Sequence, residues 1–107
     1  MIAKRTEDGF RQMAEGIVMQ NLVHGANTNM VRFRLAAGSS LPLHSHPHEQ
    51  TGVLLEGAMR FSIAGDVSSV GPGDSWCIPG GVEHSLQVLE DSVVIEIFSP
   101  LREEYLG

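Results

Sequence analysis

The chain has 107 residues, of which 42% are hydrophobic and 19% are charged, and its formal net charge is −6. This length predicts a single domain over residues 1–107. No stretch approaches the ~20 apolar residues of a membrane span, and acidic residues follow Lys4-Arg5 where a secretion signal needs its apolar stretch. We therefore expect no membrane partner and a cytoplasmic location. Since Lys4-Arg5 is the only adjacent basic pair, nucleic acid is also excluded as an expected partner.

The single cysteine, Cys77, excludes an internal disulfide framework and a Cys-rich zinc module. This agrees with a reducing compartment. We expect Cys77 to be a small buried hydrophobic residue and Trp76 to pack beside it.

Twelve glycines and five prolines divide the chain into short segments that are rich in Val, Ile and Phe, which is typical of an all-β protein. Hairpin turns are predicted at residues 64–66 and 89–92, and a helical turn is expected only in Leu101–Tyr105. The predicted strands are Phe10–Glu15, Ile17–His24, Asn29–Leu35, Leu41–Ser45, Thr51–Leu55, Ala58–Ala64, Val67–Val70, Ser75–Ile78, His84–Leu89 and Ser92–Phe98. Ten short strands with frequent turns predict an antiparallel sandwich or barrel.

Histidines are concentrated at one place in the chain. His44, His46 and His48 alternate with other residues, and residues two apart on a strand project to the same face. Imidazole is a good ligand for Zn, Cu, Fe and Ni. Glu49 and Gln50 follow at once and offer oxygen ligands. The alternative interpretation is a set of solvated loop histidines, and for His48 a loop position is the favoured one.

The spacing of these residues resembles the cupins. The first cupin motif, Gly-x5-His-x-His-x3-4-Glu-x6-Gly, is matched here by Gly38, His44, His46, Gln50 and Gly57. The second motif, Gly-x5-Pro-x-Gly-x2-His-x3-Asn, is matched by Gly73, Pro79, Gly81 and His84, with Val88 where Asn is usual. The resemblance implies a single-domain cupin β-barrel, also called a double-stranded β-helix or jelly roll. It further implies one divalent transition metal ion, of Ni, Mn, Fe, Co or Zn, bound by His44, His46, Gln50 and His84.

Gln50 stands where the cupin motif usually has a carboxylate. Four neutral ligands would hold the ion less tightly and leave it a stronger Lewis acid that attracts anionic substrates. Glu49 is the alternative ligand. We favour Gln50 because the number of residues between it and Gly57 fits the motif. A shift by one residue would also turn a strand side chain to the opposite face.

Near the C-terminus the chain is similar to the small pectin-degradation cupins of the KdgF type. Their pattern of an acidic residue, Phe two positions on and Arg four beyond is matched by Glu96, Phe98 and Arg102, with Glu96 where Asp is familiar. This resemblance implies ring opening and ketonisation of 4,5-unsaturated uronates from pectin or alginate. Arg102 would anchor the carboxylate of a small anionic sugar, Glu96 would move the proton, and Phe98 would form an apolar wall.

Other interpretations stay open at this point. Phe98 is equally a candidate for the core, and Arg102 for a tail residue paired with Glu103 or Glu104. The alternative functions are a metal-dependent dioxygenase of a small molecule and a non-catalytic metabolite-binding cupin. Because a chain this short gains stability from symmetric contacts, we expect a homodimer.

Overall fold

The computed structural model describes residues 1–106 and consists almost entirely of antiparallel strands. Within those residues the single helical element is a short 3-10 helix, Glu103–Tyr105, inside the predicted helical turn. The same residues contain no helix long and apolar enough to cross a membrane. The strands are β1 (Arg11–Ala14), β2 (Ile17–His24), β3 (Asn29–Leu35), β4 (Ser40–His44), β5 (Glu49–Ile63), β6 (Asp66–Val70), β7 (Ser75–Ile78) and β8 (His84–Ser99).

The eight strands form one sheet in the order β1-β2-β3-β8-β5-β6, with β4 also paired to β8 and β7 to β5. The two longest strands, β5 and β8, pair along their whole lengths, from Glu49 opposite Ser99 to Ile63 opposite His84. Each of them also pairs with two further strands: β5 with β6 and β7, and β8 with β3 and β4. This pairing brings the residues that follow His44, His46 and His48 against the C-terminal end of β8, where Gln50 lies opposite Phe98.

Two of the predicted breaks between strands are wrong. The predicted turn at residues 89–92 does not exist, since β8 runs through it, and β5 joins the two strands that were expected to be separate. Gly57, with φ +105°, marks the point on β5 where the register with β8 shifts several times in succession. Bulges of this kind bend a strand and increase its twist without ending it. The predicted turn at residues 64–66 is confirmed, with positive φ at Ala64 and Gly65.

The core lies between the inward faces of the strands, as the alternation along β5 requires. Met59 and Phe61 are buried while Arg60 between them is exposed. The larger buried cluster consists of Ile17, Leu35, Leu54, Met59, Phe61, Ile78, Leu86, Val88 and Val94. A smaller one, Met19, Val31 and Phe98, lies near the C-terminal end of β8.

The expectation that Cys77 is buried is wrong, because its side chain is exposed. Side chains along β7 alternate, so Trp76 and Ile78 face inward and Cys77 faces out, where its Sγ lies 3.6 Å from Glu49 Oε1. Trp76 does pack inside, with its ring centroid 5.1 Å from that of Phe61.

Candidate metal centre and adjoining cavity

Three histidines converge at one end of the sheet. His44 ends β4 and lies opposite His84, the first residue of β8, while His46 follows in the connection to β5. Ring centroids are 4.2 Å apart for His44 and His84 and 5.0 Å apart for His46 and His84. One nitrogen of each ring lies within 4.8 Å of one nitrogen of both others, so the three imidazoles fit the ligand shell of one ion.

Each of the three rings is oriented by a hydrogen bond to the backbone. Nδ1 of each ring donates, over 2.7–3.0 Å, to a carbonyl two residues away in the chain: that of Pro42 for His44, of His48 for His46 and of Val82 for His84. A hydrogen on Nδ1 leaves a lone pair on Nε2. Neutral imidazole with a free Nε2 is the form that binds a metal, and a carbonyl behind the ring is the usual partner of a metal-binding histidine.

Gln50 contributes an amide oxygen to the same place. Its Oε1 lies 2.7 Å from His46 Nε2. Because Nδ1 of His46 carries the hydrogen, two lone-pair atoms face each other at this distance, an arrangement that a cation relieves. The four neutral donors therefore fit a divalent ion. Glu49 is exposed and faces Cys77 instead.

The fourth histidine of this region, His48, lies beside the cluster. Its ring centroid is 5.8 Å from that of His46, and its buried Nδ1 has no hydrogen-bond partner among residues 1–106.

The surroundings of His46 and His84 favour the neutral form of these two rings. Burial lowers the pKa of His46, and the positive charge of Arg102 lowers it further. Burial also lowers the pKa of His84, as do the neighbouring His44 and His46. Since a metal competes with a proton for imidazole, these shifts favour metal binding at neutral pH.

Glu96, on β8, is a buried acid next to the cluster. Its side chain is 6% exposed, and both of its hydrogen bonds reach one oxygen: Oε2 accepts from Gln50 Nε2 at 2.9 Å and from Trp76 Nε1 at 3.3 Å. Burial raises the pKa of Glu96 to about 8, against the lowering effect of these two donors and of Arg102. At neutral pH the group is therefore largely a neutral carboxylic acid. The contact with Trp76 was not among the sequence predictions.

Phe98 belongs to the core and also lines a cavity. It is 1% exposed and packs with Met19 and Val31 in the smaller cluster. Its ring also lines the cavity in front of Glu96 and lies edge-on to the ring of His46, with centroids 6.1 Å apart.

Arg102 pairs with a neighbouring acid of the tail and also lines the cavity. Its Nε donates to Glu104 Oε1 at 2.7 Å, the pairing expected of a tail residue. Its guanidinium nevertheless lies over the rings of Tyr105, at 4.2 Å, and Phe98, at 5.1 Å, and lines the cavity. Asn29, buried at the start of β3, accepts from the Arg102 backbone N–H at 2.9 Å and so anchors this segment. Neither Tyr105 nor Asn29 was predicted to belong to the site.

A single cavity of about 70 Å³ joins these groups. Apolar side chains of the larger core cluster form its floor, and Arg102 and Tyr105 lie on its wall. The polar and aromatic residues on it that the sequence had singled out are His44, Gln50, His84, Glu96, Phe98 and Arg102. A buried acid, a cation and two of the rings that could hold a metal ion thus face one small space.

Comparison with known proteins identifies the family of the chain and proteins of similar fold. Residues 31–98 match the model of the cupin domain. The pectin degradation protein KdgF of Dickeya dadantii is 26% identical over 102 residues, which are 94% of this chain and 93% of that protein. The structure of KdgF from a Halomonas species superposes with a TM-score of 0.93 at 28% identity, covering 99% of this chain and 98% of that one.

A second relative is much longer than this chain. The oxalate decarboxylase OxdC of Bacillus subtilis is 30% identical over 83 residues, which are 73% of this chain. The chain spans 22% of the length of that enzyme, so this similarity concerns one part of it.

Proposed function

This chain belongs to the cupin domain family, and we propose that it is a metal-dependent enzyme that opens the ring of 4,5-unsaturated uronates and ketonises the product. One observation carries the proposal: the buried acid Glu96 and the cation Arg102 face the same cavity as His44 and His84. The similarity to KdgF proteins over nearly the whole chain supports the choice of substrate.

The reaction needs proton transfer and no electron transfer. A 4,5-unsaturated uronate carries a carboxylate, an enol ether and an anomeric hydroxyl. In ring opening, the bond between C1 and the ring oxygen breaks, the hydroxyl at C1 loses its proton and the former ring oxygen gains one. The resulting enol becomes a ketone when C4 takes up a proton and the enol oxygen releases one. Protons gained and lost balance, so the reaction needs a carboxylate anchor and a proton carrier but no oxidant or reductant.

Arg102 is suited to anchor the substrate carboxylate. Its Nε is engaged by Glu104, and the rings of Tyr105 and Phe98 fix the plane of the guanidinium. The two terminal nitrogens make no hydrogen bond to residues 1–106 and form an edge that matches a carboxylate in bidentate fashion. Phe98 offers an apolar wall to the face of the sugar ring.

Glu96 is suited to carry the proton. A neutral carboxylic acid accepts at its carbonyl oxygen, and both donors, Gln50 and Trp76, lie on Oε2. The proton of Glu96 is thereby held on Oε1, from which it can be given to the substrate and to which one can return. Burial raises the pKa of Glu96 toward neutrality, and a group that is partly protonated at the working pH transfers protons efficiently in both directions.

A divalent ion bound by His44, His46, His84 and Gln50 would supply a Lewis acid for the oxygens of the substrate. All four donors are neutral, so the site would keep the full positive charge of the ion and favour an anionic sugar.

The test follows the ultraviolet absorbance of the 4,5 double bond after a lyase has generated the monomer. With divalent metal supplied, the protein should accelerate the loss of absorbance, and Arg102→Ala should lower kcat/KM at least tenfold. Arg60→Ala, which removes an exposed arginine on β5, serves as the matched control and should keep the wild-type rate. Absence of any acceleration by the metal-supplied protein would refute the proposal. Oxygen uptake that depends on a small-molecule substrate would favour the dioxygenase alternative, and tight binding without turnover the non-catalytic one.

A further inference from the structure

Trp76, Gly52 and Glu96 form one row across three neighbouring strands. Gly52 on β5 lies opposite Glu96 on β8 and, on its other side, opposite Trp76 on β7. Since adjacent strands are about 4.8 Å apart, the two outer residues are separated by roughly 10 Å of backbone. Direct contact between their side chains requires that one of them cross the middle strand.

Gly52 provides the space for that crossing. A Cβ atom added to Gly52 would lie 2.5 Å from Trp76 Nε1 and 2.6 Å from Trp76 Cε2, so any side chain there would displace the indole. The Phe61 ring packs against the indole and supports it. Gly52 has no positive φ, and the reason for glycine at this position is therefore the approach of the indole.

The indole ends on the same oxygen as the amide of Gln50. Trp76 Nε1–H donates to Glu96 Oε2 at 3.3 Å, and Gln50 Nε2–H donates to that atom at 2.9 Å. The two donors together occupy both lone pairs of Oε2 and leave Oε1 as the oxygen without an N–H partner from either.

We propose that Trp76 is a positioning residue for Glu96, and that Gly52 is what allows its indole to reach the carboxyl group. The catalytic part of this inference rests on the proposed function. The terminal torsion of a glutamate is broad and close to two-fold, so a single donor leaves the carboxyl group free to exchange its two oxygens. Two donors from different strands hold one orientation, in which Oε2 accepts both hydrogen bonds and Oε1 is left without either donor.

The contact itself is tested by nuclear magnetic resonance, without substrate or turnover. Trp76 is the only tryptophan of the chain, so its indole N–H gives a single signal that needs no assignment. Glu96→Gln should move this signal because it changes the acceptor, and Gly52→Ala should move it because it displaces the ring. Cys77→Ser, on the outward face of the same strand, should leave it in place. An indole signal unaffected by Glu96→Gln would overturn the inference.

The consequence for catalysis is tested with Trp76→Phe, which keeps an aromatic ring and removes the N–H. We expect kcat to fall about tenfold, equivalent to ~1.4 kcal/mol in the barrier, with KM within about twofold of wild type. A variant with unchanged kcat, or with its loss confined to KM, would contradict the positioning role. If Trp76→Phe does not fold, the resonance experiment decides alone. If the wild-type protein shows no turnover, the proposed function fails while the indole signal still reports on the contact.

Discussion

Gln50 and Glu96 lie 46 residues apart in the chain and are joined by a hydrogen bond of 2.9 Å from Gln50 Nε2 to Glu96 Oε2. Because the amide nitrogen is committed to Glu96, the amide oxygen is turned toward the nitrogen of His46. The candidate metal ligand and the candidate proton carrier therefore hold each other in orientation.

Gln50→Glu tests the significance of the neutral ligand. A carboxylate at this position should bind a divalent ion at least about tenfold more tightly and, by reducing the charge of the site, lower kcat. Without metal the variant should be less stable than wild type, because the carboxyl groups at positions 50 and 96 would then be buried in contact with each other and like charges repel. Metal affinity is measured by competition with a chelator.

The control for this variant is Glu49→Gln, which alters the exposed neighbour. It should leave metal affinity unchanged. A large loss of affinity in Glu49→Gln, together with no gain of affinity in Gln50→Glu, would instead assign the ligand to Glu49.

Metal binding should stabilise the fold through the histidine cluster. At a free concentration of a hundred times the Kd, a bound ion adds about 2.7 kcal/mol, which corresponds to a rise in Tm of order 10 °C for a chain of this size. The rise should disappear in His84→Ala and persist in His24→Ala, an exposed histidine outside the cluster. Thermal unfolding with and without a divalent ion measures it, and an equal rise in both variants would contradict the site.

Glu96 should make the metal-free protein sensitive to alkali. Its pKa rises from an ordinary 4.5 to about 8 on folding, so between these values the folded state holds a proton that the unfolded state releases. The resulting stability is fully present below pH 4.5 and is lost as the pH rises through 8. His46 and His84, whose pKa values are lowered by burial, act in the opposite direction near neutrality.

The contribution of Glu96 is isolated by comparison with Glu96→Gln, in which the histidines are unchanged. Urea unfolding in the presence of chelator, from pH ~5 to pH ~8.5, should show wild type losing a few kcal/mol relative to the variant. If the free energy of unfolding had the same pH dependence in the two proteins, the pKa of Glu96 would not be raised by folding.

Gly57→Ala should destabilise the fold more than Gly65→Ala. Both glycines have positive φ, so alanine is strained at both positions. An added Cβ at Gly57 would in addition meet the Ser92 side chain and lie 2.5 Å from the Asp91 carbonyl oxygen, whereas at Gly65 it would meet nothing within 4 Å. We expect a loss of ~1 kcal/mol at Gly65 and ~2–4 kcal/mol at Gly57, measured by urea unfolding. Equal losses would show that the bulge yields to the added methyl group.

The regular strands of the fold were predictable because their side chains alternate. Ile17–His24, Asn29–Leu35 and Ser75–Ile78 have the predicted bounds. The breaks expected within β5 and β8 were wrong because glycine and acidic residues occur in bulges as well as in turns. A bulge and a turn differ in how the segment pairs with a strand that is distant in the chain, and the residues of the segment itself do not reveal that pairing.

His44, His46 and Gln50 were predictable as a group because their spacing is short and regular, whereas His84 joined them only through the resemblance to the second cupin motif. Cys77 could have been placed on the outward face from the alternation of β7, in which Trp76 and Ile78 are the inward residues. The contact of Trp76 with Glu96 could not, because it depends on the register of three strands and on the missing side chain of Gly52.

The backbone carbonyls behind the three imidazoles have a consequence for the supply of ions. The rings are aimed by neighbouring peptide groups, two residues away in each case, and need no ion to keep their direction. Loading and release of an ion would then require little reorganisation of the chain. The metal ion bound in a cell would then depend on which ions are abundant there as much as on the ligands themselves.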